Sequence, residues 1–85
     1  MPAYSRELRS LPIWLLGEYL QEVGGQPAPG WLYRGEGWHA QITQIEDFTI
    51  GSLRVGQVRL DWEGDEQAHQ LVWPLIEQKL MRAGG

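Results

Sequence analysis

Trp38-His39-Ala40-Gln41-Ile42-Thr43 alternates apolar and polar residues without a break. Successive side chains of a strand point to opposite faces. The stretch therefore reads as a strand with Trp38, Ala40 and Ile42 on one side and His39, Gln41 and Thr43 on the other. Such a strand belongs to an antiparallel sheet with one face buried and one face in water. Upstream, 31–34 is a short strand candidate and Gly35-Glu36-Gly37 reads as a turn. Downstream, Glu46-Asp47 marks another turn, and Phe48 and Ile50 open the next strand. Leu53 and Val55 continue it out of phase, which predicts a bulge or bend at Gly51-Ser52. A second slip at Gly56-Gln57 is read as a two-residue hairpin turn in preference to a bulge, because Gly readily takes positive φ. Val58, Leu60 and Trp62 then run in phase.

Helical periodicity flanks these strands. Ser10 before Leu11-Pro12 reads as an N-cap with Pro in the first turn. That predicts a helix over 11–23, stopped by Gly24-Gly25. Ile13, Leu16, Gly17, Leu20 and Val23 share one face, and Gly17 permits close approach to the sheet. Trp14 projects with Glu18 and Gln21 on the polar side. Asp65 is the N-cap of a closing helix reaching about residue 82. Its stripe is Ala68, Leu71, Val72, Leu75 and Ile76, and Pro74 kinks it or restarts it. Trp73 falls on its polar flank, and Lys79 and Arg82 complement the dipole at its end. Residues 26–30 form a loop by composition, and 3–8 either add a short edge strand or stay loose. The expected fold is an α+β two-layer sandwich: a mainly antiparallel sheet of three to five strands with two helices on one face.

At 85 residues the chain is expected to form one small domain, 1–85. It is 42% hydrophobic and 21% charged, which sets it apart from disordered chains. It has no cysteine, and so no disulfide, thiolate zinc site, iron–sulfur cluster or thiol chemistry. No apolar run approaches a membrane span, and no basic, then apolar, leader opens the sequence. Those features suggest a soluble cytoplasmic protein. The net charge is −4 with scattered cations, so there is no basic footprint for nucleic acid. A core this small without a covalent staple leans on its five Trp, three Tyr and one Phe.

The pattern offers no catalytic constellation, and no enzyme activity, cofactor or metal is expected. His39 reads as a solvated strand residue. His69, one turn after Asp65, reads as half of a helix-surface pair. Asp61, Glu63, Asp65 and Glu66 lack the spacing of a calcium loop and suit a solvated strand-to-helix turn. Gly30, Gly35 and Gly37 lack the Lys-Ser/Thr and the strand–loop–helix setting of a phosphate loop. Trp38 and Trp62 alternate with core residues and are assigned to the core, whereas Trp31 and Tyr33 share one side of their strand candidate. Trp14 and Trp73 are the candidate interface residues, either exposed for a twofold self-association or meeting each other across the helix pair. The candidate partner-facing sheet surface carries His39, Gln41, Thr43, Arg54 and Arg59, beside Asp61.

Three stretches carry a family resemblance: Leu11-Pro12-Ile13-Trp14-Leu15-Leu16, Ile50-Gly51-Ser52-Leu53-Arg54-Val55-Gly56 and Leu80-Met81-Arg82-Ala83-Gly84-Gly85. Over 11–25 and 51–85 the chain resembles the small β-α-β(4)-α domain joined to proteins related to the molybdopterin-synthase small subunit. The resemblance implies that fold and transfers no functional residue. Gly84-Gly85 also resembles the tail of sulfur carriers and ubiquitin-like modifiers, whose C-terminal Gly is adenylated. Those tails leave a strand of a β-grasp fold, whereas here the glycines follow a predicted helix. The expected role is a non-catalytic binding or assembly module with a protein partner, itself or another. The alternative is a small carrier that uses Gly84-Gly85 in sulfur or molybdopterin-cofactor metabolism.

Overall fold

The computed structural model describes residues 2–82 of the chain. Its elements run β1 (Ala3–Arg9), α1 (Ile13–Glu22), β2 (Gln26–Ala28), β3 (Leu32–Gly35), β4 (Trp38–Ile50), β5 (Leu53–Gly64), α2 (Glu66–Leu71) and α3 (Trp73–Arg82). The five strands form one sheet in the order β1-β5-β4-β3-β2, and every pairing is antiparallel. Register sets the faces. Leu8 lies opposite Val58, Ile42 opposite Leu60, Ala40 opposite Trp62 and Tyr33 opposite Ala40, so all of these share one side. Leu16 and Leu20 of α1, Ala68 of α2, and Trp73, Ile76 and Leu80 of α3 complete that core from the helix layer. The result is the two-layer α+β sandwich expected from the alternation at 38–43.

Several local expectations are corrected. Ser10 does not cap α1. It sits at φ 64° with its N–H donating to the Gly56 carbonyl, and Pro12 is the N-cap without a side-chain bond. Residues 3–8 take the expected edge-strand option, within β1. The expected loop at 26–30 contains β2, a three-residue edge strand that tolerates Pro27 because an edge leaves one row of N–H groups unpaired. Glu46-Asp47 is not a turn, since β4 runs through it. Ile45 pairs with Gln57 and Phe48 with Val55, so two residues of β4 face Gly56 alone, and the bulge lies there. The hairpin turn is Gly51-Ser52, with Gly51 at φ 59°, and Gly56-Gln57 lies inside β5. β4 changes phase at that bulge, whereas β5 keeps one alternation from Leu53 to Gly64, with Leu53 and Val55 on the face away from the helices.

The closing helix takes the restart option. Asp65 caps it, its carboxylate accepting from the Ala68 N–H at 2.7 Å. The helix breaks at Val72 and resumes with Pro74 in the first turn of α3, where a missing N–H costs no intrahelical bond. The break turns α3 about its axis relative to one continuous helix. Leu71 and Leu75, assigned to the buried stripe, are exposed instead, and Trp73 takes their place inside.

Candidate functional site

Trp73 and Trp14 have opposite fates. Trp73 is buried within one chain and stacks on Tyr4 with centroids 4.5 Å apart and planes 4° apart. Trp62 tilts against it at 5.3 Å, and the Arg6 guanidinium lies 5.5 Å from its ring. Trp73 therefore belongs to the core of one chain and not to a twofold interface, because the helix break carries it off the polar flank. Trp14 stays in water at 58% exposure.

A second exposed indole joins it. Pro29-Gly30-Trp31 links β2 to β3, with Ala28 opposite Leu32. Trp31 faces α1 together with Tyr33 but lies outside β3, in the left-handed region at φ 59°. A bulky side chain there is uncommon and persists only when its surroundings hold it. The Ile42 N–H donates to the Trp31 carbonyl at 3.0 Å, and the Gln41 amide donates to the Gly30 carbonyl at 2.5 Å. On the other side, Trp31 lies 3.5 Å from where a Cβ on Gly17 would stand, and the Tyr33 hydroxyl occupies the same space. Gly17 is thus the contact that lets α1 settle on Tyr33 and Trp31. Positions three apart on a helix are surface neighbours, so Trp14 stands one turn from Gly17 on the same flank. The corner of α1 and the β2–β3 turn displays Trp14 and Trp31, the latter 43% exposed.

The sheet surface expected to face a partner is engaged with itself. His39 lies 3.7 Å from Glu63, and Arg59 bonds Asp61 at 3.1 Å. Gln41 is a clamp on the β2–β3 turn and not a free surface amide. Thr43 is half-buried opposite Arg59. Arg54 does not share this face. Alternation along β5 puts it on the helix side with Val58, opposite Thr49, in the two-stranded arm beyond the helices. A shallow hollow of about 310 Å³ remains, lined by Ser5, His39, Gln41, Asp61 and Glu63 among others. His69 is also not half of a helix-surface pair with Asp65, as expected. Its Nε2 meets the Tyr4 hydroxyl at 2.5 Å and its ring stacks on Tyr4 at 5.5 Å, fastening β1 to α2. Gly84-Gly85 lie outside the described residues.

Sequence reasoning found Trp14 and the role of Gly17 but missed Trp31. The signal available was Pro29-Gly30, a turn dipeptide directly before it. No helix among the described residues is long and apolar enough to cross a membrane. No curated protein matches the chain. A family model does match, over residues 4–85, and its description is archaeal MoaD-like protein. This agrees with the resemblance to molybdopterin-synthase-small-subunit-related proteins drawn from residues 11–16, 50–56 and 80–85, and the chain belongs to the archaeal MoaD-like protein family.

Proposed function

We propose that this protein is a non-catalytic binding module of the MoaD-like family, working by docking to a protein partner through the Trp14–Trp31 corner. The observation that carries the reading is Trp31, a large apolar side chain left 43% exposed on a left-handed backbone that the Ile42 N–H and the Gln41 amide hold in place. Folding alone would favour a Gly at that position and the indole in the core. Exposed Trp is also the side chain most often found at the centres of binding energy in protein interfaces. The test is purification of the tagged protein from its native cells, parent beside Trp14→Ser. Partner proteins retained by the parent and lost from Trp14→Ser are expected. Retention of the same partners by the variant contradicts the reading.

A second reading follows from the family. In it the chain is a small carrier of the molybdopterin pathway, activated at Gly85. Family membership favours it, whereas the helix α3 running to Arg82 does not match a tail that leaves a strand. Intact-mass measurement on protein from native cells separates the two. An unmodified mass accords with the docking module, and an adenylate or thiocarboxylate on Gly85 establishes the carrier.

A further inference from the structure

The Trp14–Trp31 corner has a chemical character as well as an exposed area. Glu18 follows Trp14 by one helical turn and is exposed. Of the two carboxylates on α1, Glu22 is taken by Lys79, while Glu18 has no ion-pair partner among the described residues. From Ser10 to Tyr33 the chain contains no Lys, Arg or His. Arg34, the next cation, alternates to the opposite side of the sheet from Tyr33, away from α1. The corner therefore presents two indole faces and one carboxylate without an ion-pair partner among the described residues, while Lys79, which reaches α1, is held by Glu22 one turn on.

Indole faces carry negative quadrupole charge and attract cations, most strongly among the aromatic side chains. A guanidinium is planar and weakly hydrated, stacks on such faces, and can bond a carboxylate with two of its N–H groups. Phosphate-bearing ligands meet only negative charge here. The net charge of −4 draws a basic partner toward the molecule from a distance. Accepting the corner as the docking surface, the geometry points to its occupant: an arginine side chain on an exposed, extended segment of a protein partner, stacked on Trp14 and Trp31 with Glu18 as counter-charge.

The test is ¹H–¹⁵N NMR of the indole N–H groups of the full chain, titrated with acetyl-Pro-Arg-Pro-Arg-Pro-amide. The prolines keep the probe extended. The control is the same peptide with citrulline in place of arginine, which keeps the shape and removes the charge. Of the five indole signals, those of Trp14 and Trp31, assigned with Trp14→Phe and Trp31→Phe, should move and saturate at millimolar peptide. The citrulline peptide should bind roughly tenfold more weakly, the size of a partly desolvated cation–π contact. Glu18→Gln should weaken the arginine peptide by roughly threefold, as for an exposed ion pair, and added salt should do the same. Equal binding of the citrulline peptide overturns the arginine seat while leaving a docking corner. Binding at the His39–Glu63 hollow instead overturns the seat, as does an absence of shifts. Movement of the same two signals on raising protein concentration without peptide also overturns it, by making a second copy of the chain the occupant. None of these outcomes alters the co-purification result for Trp14→Ser, which bears on the corner itself.

Discussion

The two ends of the helix layer use the same side chain in opposite ways. Where α2 and α3 meet β1, Tyr4, Trp62, Trp73 and His69 form a closed aromatic stack that fastens the edge strand to the helices. Where α1 meets the β2–β3 turn, Trp14 and Trp31 stand in water, and a glycine takes the place of the side chain that would otherwise fill the gap. The difference does not lie in composition. At the first end a helix break at Val72 turns an indole inward. At the second, Gly17 lets α1 settle on Tyr33 and on one edge of the Trp31 ring, which leaves that ring 43% exposed. Burial of an aromatic residue is decided by how neighbouring elements approach, and only afterwards by its hydrophobicity.

The comparison is most severely tested at Trp73. Trp73→Ala should lower stability by about 3–5 kcal/mol, because it leaves an uncollapsed cavity beside Tyr4 and Trp62. Chemical denaturation checks this. A loss below about 1 kcal/mol would place Trp73 at the surface. Gly17→Ala should cost about 1–3 kcal/mol despite the better helix propensity of Ala, since the new methyl meets the Tyr33 hydroxyl. The same variant should shift the Trp31 indole signal. A stabilised Gly17→Ala protein would mean that α1 does not rest on Tyr33.

Gln41→Glu sharpens the account of the exposed end. It removes the amide donor to the Gly30 carbonyl and brings a carboxylate against carbonyl oxygens. A cost of about 1–3 kcal/mol is expected in thermal unfolding, where a free surface glutamine would show about 0.5 or less. Asp65→Ala tests the turn into α2 and should cost about 1 kcal/mol by loss of the cap to the Ala68 N–H. Trp14→Ala should change stability by about 0.5 kcal/mol or less. A large loss there would make Trp14 part of the core and remove it from any docking surface.

Much of this architecture was legible in single residues. The alternation at Trp38, Ala40 and Ile42 placed the central strand and its buried face, and Asp65 placed the start of α2. Pro74 marked a kink or a restart without saying how far the following helix would turn, and that turn decided Leu71, Trp73 and Leu75 together. The bulge at Glu46-Asp47 hid behind Gly51 and Gly56, because each of the two glycines suits a turn and cross-strand register alone says which one makes it. Trp31 was hidden for a similar reason. Its left-handed backbone depends on Gln41 and Ile42 of another strand, contacts that no local pattern carries. Arg54 was assigned to the wrong face because the apolar Leu53 and Val55 beside it suggest the core side, whereas β5 runs without a phase change through Gly56-Gln57.

The central claim is that two indoles face water at one corner while the other three belong to the core. Photochemically induced nuclear polarisation of the free protein reads it directly, because the dye must touch a ring to enhance it. The account predicts enhancement of Trp14 and Trp31 and none of Trp38, Trp62 or Trp73. Enhancement of Trp73, or silence of Trp14 and Trp31 together, would contradict it.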